Sequence, residues 1–192
     1  MAFTNYYQVT KEINGITYTA QFNGLSFRDE TLDSCHTDDG NVSFEKLATA
    51  LFDKVLVEPK AKIDDFGADK IGKTKEKIIN GTKYVAKFNG VKAALRAMDN
   101  CYIDGTSNTS IKKLREYLFE NVITVPEKLE VDSFETAEEL DEVTTFAREA
   151  MQDKEAMNEF NAVLTFLRET MEGKLGNFRT ENTGTTKKTG KR

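Results

Sequence analysis

Histidine occurs once and cysteine twice among the 192 residues of this chain, and each scarcity removes a class of function. With a single His36, beside Cys35 and near Asp38 and Asp39, no Ser-His or Cys-His nucleophilic pair is indicated. The absence of any Cys-x-x-Cys spacing argues against a zinc site. No glycine-rich loop runs into Lys-Ser/Thr, so a phosphate cradle is not indicated either. No apolar run approaches the roughly 20 residues that span a bilayer, and the N-terminus lacks the basic-then-apolar layout of a secretory signal. The expectation is a soluble, cytosolic protein with no catalytic constellation, no cofactor, no metal and no membrane partner.

What the chain does have is self-similarity. Residues 13–35 align with 79–101 at ten identical positions of 23, among them Asn14/Asn80, Gly15/Gly81, Asn23/Asn89, Asp33/Asp99 and Cys35/Cys101. After a one-residue insertion, 42–60 align with 109–127 at seven of 19, including Ser43/Ser110, Leu51/Leu118, Phe52/Phe119 and the two prolines, Pro59/Pro126. Self-similarity of this kind is the mark of a repeat architecture, and two copies predict a pair of related units. At roughly 55–60 residues each, such units sit near the lower size limit for folding alone. They lean on each other or on a partner, which leaves a homo-oligomer open. The paired cysteines predict equivalent packing positions more than a disulfide.

In each copy an Asn-Gly pair precedes alternating apolar residues (Tyr18, Ala20, Phe22; Tyr84, Ala86, Phe88), the pattern of a tight hairpin. Upstream partner strands fall near 6–12 and 75–79. A second Asn-Gly turns the chain into a short helix. A stronger helix follows, with Phe44, Leu47, Leu51 and Val55, or Ile111, Leu114, Leu118 and Val122, at helical spacing and Ser43 or Ser110 as caps. Both end before a proline.

The predicted fold class is α+β: two tandem β-β-α-α repeats, each a β-hairpin plus helices, then a helical C-terminal segment and a disordered basic tail. The boundaries are 1–59 for the first repeat, 60–74 for a Lys/Asp/Gly-rich linker and 75–131 for the second repeat. Residues 132–172 form the C-terminal helices and 173–192 the tail. Thr136 to Glu139 has the form of a capping box, Asp153 of a cap and Gly173 of a stop. Residues 174–192 carry six Lys/Arg against one Glu, so the remainder holds 21 basic and 31 acidic residues, a charge of -10 that repels nucleic acid.

The copies end in Val-Leu-Val-Glu-Pro-Lys followed by Ile-Asp-Asp-Phe, and Val-Ile-Thr-Val-Pro-Glu-Lys followed by Val-Asp-Ser-Phe. The second runs on into Glu-Glu-Leu-Asp-Glu-Val-Thr-Thr-Phe-Ala-Arg-Glu-Ala-Met. Over most of 75–151, and more loosely over 5–66, this resembles the tail assembly chaperones of long-tailed phages and prophages of Gram-positive bacteria. The resemblance implies a non-enzymatic role in the host bacterial cytoplasm: binding the long helical tape measure protein, keeping it soluble, and helping the major tail (tube) protein assemble around it. A structural tail or tube component, or a phage-encoded inhibitor that binds a host protein, is the alternative.

Candidate partner contacts are Phe52, Leu56, Phe119 and Ile123 on the exposed part of the second helices, where Phe52 and Phe119 lie about 100° from Leu51 and Leu118 on the helical wheel. The Met-rich seam Met157, Phe160, Leu164 and Met171 suits either intramolecular packing or adaptable recognition of helices.

Overall fold

The computed structural model describes residues 6–38, 40–103, 106 and 108–175. It is a mixed α+β chain with two small antiparallel sheets and six α-helices among those residues. Strands β1 (Tyr7–Ile13) and β2 (Ile16–Phe22) pair in continuous register from Tyr7 opposite Phe22 to Ile13 opposite Ile16. The Asn14-Gly15 turn between them has φ of 52° and 79°, the left-handed geometry for which Asn-Gly is suited. Helices α1 (Leu25–Ser34) and α2 (Phe44–Lys54) follow, then β3 (Leu56–Glu58), which adds to the free side of β2. The same order recurs as β4 (Thr74–Ile79), β5 (Thr82–Lys87), α3 (Val91–Asn100), α4 (Ile111–Asn121) and β6 (Ile123–Val125). Both third strands enter through the same register shift, between Thr19 and Ala20 and between Val85 and Ala86.

The third strands are an addition to the β-β-α-α expectation. Glu58 and Val125 each precede a proline, whose ring disfavours helical geometry in the residue before it. The chain leaves the helix extended and finds an open sheet edge. Asn23 Nδ2 donates to the carbonyl of Lys54 at 3.0 Å, and Asn89 Nδ2 to that of Asn121 at 2.8 Å, so the second Asn-Gly pair also fastens the end of the second helix of its half, α2 or α4.

The segment 60–74, read from its composition as a linker, is packed. Ile63, in a single 3-10 turn (Ile63–Asp65), and Phe66 are buried in the first core. Gly67, at φ 67°, lies where a Cβ would come within 2.5 Å of the Ala156 Cβ, so the close approach of this segment to the last helix requires glycine. Lys70 Nζ donates to Asp153 at 3.0 Å.

Two hydrophobic cores form. Helix α5 (Ala137–Met151) covers the second sheet and α4, burying Leu140, Val143, Phe146 and Ala147. Helix α6 (Lys154–Met171) returns to the first half and packs on β1, β2 and α2. Thr136 and Asp153 cap these helices, accepting from the Glu139 and Ala156 N–H groups at 3.2 Å each. The second limb of the expected capping box is diverted, because the Glu139 carboxylate accepts from the Tyr84 hydroxyl at 3.0 Å. Met171 ends α6, and Gly173 at φ 71° takes the left-handed stop. The expected tail beyond Leu175 lies outside the described residues.

Candidate functional site

The two halves meet where α3 lies across α2 and the Ile63–Asp65 turn. Helix α3 has two apolar faces at helical spacing. Val91 and Leu95 enter the first core, while Ala94 and Ala97 enter the second. Three polar fastenings fix its direction. The Asp99 carboxylate accepts from Ser43 Oγ at 2.6 Å and from the backbone N–H groups of Phe44 at 2.7 Å and Glu45 at 3.0 Å, satisfying donors at the start of α2 that have no partner within the helix. Arg96 grips Glu45 through Nε at 2.9 Å and Nη2 at 2.7 Å, and the hydrogen bond from this guanidinium holds the Glu45 carboxyl below its usual range. Lys92 stands 4.0 Å from Asp64 at the other end.

The second half has no such helix across it. Between α4, β6 and the 3-10 turn Val131–Ser133 runs an open groove of about 1080 Å³. Phe119 and Ile123 lie under it, Val131 lies half-buried in its wall, and Lys112, Glu116, Lys128 and Glu130 line its rim. In the alignment of the halves, Lys112 corresponds to Glu45 and Asp132 to Asp64, two of the residues that α3 contacts. A groove with an apolar floor and charged walls is chemically fit to take an amphipathic helix.

The expected contact stripe is placed differently from the sequence reading. Phe52, Leu56, Phe119 and Ile123 are all buried: Phe52 packs on Phe66 and on Phe160 of α6, Phe119 packs on Phe134, and Leu56 and Ile123 lie beyond the helices, in the third strands β3 and β6. Phe160 and Met171 are also buried, and Met157 and Leu164 are half-buried against the same core, so the Met-rich seam packs inside the molecule. Phe160 sits between Phe52 (ring centroids 5.9 Å, 10° between planes) and Phe66 (5.6 Å, 75°). Of the eight candidates, only Phe119 and Ile123 line the groove, from below. The residues the sequence reading missed are Asp99, Arg96 and Glu45. The identity of Asp33 and Asp99 was the available signal, since an acid kept at one helix position in both copies has no apolar packing reason.

Cys35 and Cys101 are buried free thiols, and burial pushes the Cys101 thiol up. His36 is exposed in a single bridge to Val42. Among the described residues no group of three or more His, Cys, Asp or Glu side chains is placed to hold a metal, and no helix is long and apolar enough to cross a membrane.

Tyr84 offers a probe of the second core. Burial first, and the hydrogen bond to Glu139 second, push its hydroxyl from 10.0 up to about 12. A folded pKa above the unfolded one contributes stability that is complete below pH 10 and is lost as pH rises towards 12. We expect this alkaline loss to shrink in Tyr84→Phe, read by denaturant titration at successive pH values. Identical pH profiles for the two proteins would show that Tyr84 is not so held.

No family model, no curated protein and no solved structure matches this chain.

Proposed function

We propose that the chain is a tail assembly chaperone, non-enzymatic and acting in the host bacterial cytoplasm, that receives a helix of the tape measure protein in the groove beside α4. The observation that carries this reading is the groove itself, open in the second half where the first half holds α3 across the corresponding surface. In this reading the halves are copies of one module, β-β-α-α-β with a closing helix, whose recurrent act is to seat a helix. The -10 charge outside the basic tail keeps such a scaffold soluble beside an aggregation-prone client. The basic tail is left for the tube protein.

Co-expression with a phage tape measure protein tests the reading. The partner is expected to stay soluble and to co-purify, and Val131→Asp, which places a charge in the groove wall, is expected to lower the recovered partner about tenfold. Val131 is only half-buried, so a thermal melt verifies that the variant folds. A partner that is equally soluble alone and never co-purifies sinks the proposal.

A further inference from the structure

Each side of the α3–α2 junction has a counterpart elsewhere in the chain that faces solvent. Helix α1 aligns with α3, and α4 with α2. Val91 is 0% exposed, whereas its counterpart Leu25 is 56% exposed on α1. Asp99 caps α2, whereas its counterpart Asp33 is exposed and carries no side-chain partner among the described residues. The start of α4 presents the same serine, Ser110, together with an Ile111 that is 61% exposed.

We propose that a second copy of this chain docks its α1 across α4, repeating between molecules the junction that α3 and α2 make within one. The charges single out this occupant. Arg96 on α3 pairs with Glu45 on α2, and the counterparts are Glu30 on α1 and Lys112 on α4, the same pair with both signs reversed. Two unrelated surfaces would not be expected to exchange signs together. Leu95 and Ala48, both in the first core, correspond to Asp29 and Arg115, again an acid and a base. Although its guanidinium also pairs with Asp141, the Arg115 Nε is buried without a partner, alone in this among the side-chain polar atoms of the described residues. Asp29 pairs with Arg28 on its own helix, and at the junction its carboxylate comes beside the Arg115 guanidinium.

The sign reversal also excludes the wrong pairings. Helix α3 brought to α4 sets Arg96 against Lys112, and α1 brought to α2 sets Glu30 against Glu45, so each helix is repelled from the other's groove. The contact is head-to-tail: one copy gives α1 and receives on α4. Such heterologous contacts build rings or open filaments and do not stop at a dimer unless the rotation closes there. The inference uses only the junction and its counterparts, and does not depend on the client reading. If both hold, self-association and client compete for one groove.

Sedimentation velocity across a dilution series tests it. The weight-average mass is expected to rise with concentration beyond twice the single-chain 21.7 kDa. Glu30→Lys and Lys112→Glu, both on exposed side chains, are each expected to weaken association about tenfold or more. An equimolar mixture of the two variants is expected to associate like the wild type. In that mixture α1 of either variant meets α4 of the other with opposite charges at the contact, one pair in the native sense and one with its signs exchanged. A mass that stays at one chain throughout, or single variants that associate as well as the wild type, or a mixture that does not recover, would overturn the proposal. Glu30→Lys leaves the groove intact, so client capture by this variant, measured by co-purification, separates failure of self-association from failure of the client reading.

Discussion

Phe160→Ala is expected to destabilise the protein by about 3–5 kcal/mol, the range for removing a fully buried phenylalanine without collapse of the site. Phe160 is 0% exposed and stands between Phe52 of α2 and Phe66 of the connecting segment. The ring therefore joins three parts of the chain: α6, α2 and the stretch between the two halves. Truncation leaves facing aromatic groups that share a rigid frame and cannot close the gap. For a chain of this size the loss corresponds to a fall in Tm on the order of 10 °C. Phe160→Leu keeps most of the apolar volume and is expected to cost less than half as much. Urea titration of the three proteins reads the effect, and a loss below about 1 kcal/mol for alanine would mean that α6 is not docked on the first half.

Asp99→Ala is expected to be the most costly single change to a surface-facing polar group, at about 2–3 kcal/mol. Its carboxylate accepts three hydrogen bonds, from Ser43 Oγ and from the N–H groups of Phe44 and Glu45. It also places negative charge at the positive end of α2. Ser43 still caps through its bond from the Lys46 N–H, so α2 persists, but the halves lose the fastening that sets α3 across it. Asp33→Ala makes the same chemical change at the aligned position of α1, where the side chain has no partner among the described residues, and is expected to stay within about 0.5 kcal/mol in the monomer. In sedimentation, by contrast, Asp33→Ala is expected to weaken self-association. Equal losses of stability for the two variants would show that Asp99 is not a fastening.

The self-similarity of the sequence made much of this architecture legible. Asn14-Gly15 and Asn80-Gly81 gave the hairpins because few other dipeptides accept two successive positive φ values, and Ser43, Ser110, Thr136 and Asp153 gave four helix starts. These are local signals, carried by residues adjacent in the chain. The third strands were not legible, since three extended residues before a proline become a strand only when a sheet edge is within reach. Nor was the packing of 60–74: its Lys, Asp and Gly residues hide the two apolar anchors, Ile63 and Phe66, that composition averages away.

The candidate site divides in the same manner. Spacing placed Phe52 and Phe119 on a second helical stripe, and amphipathic geometry alone left that stripe free to face a partner. The partner turned out to be internal, because α6 folds back over the first half while α5 covers the second. By itself, then, the sequence determined the local elements, the likeness between residues 13–60 and 79–127 and the sign-reversed charges on α1 and α4, all of which are properties of neighbouring or aligned residues. Only the tertiary structure decided which apolar stripes are spent in the cores and which groove stays open. Burial is a property of pairs of surfaces that the chain brings together from far apart, and no spacing within one helix records what will cover it.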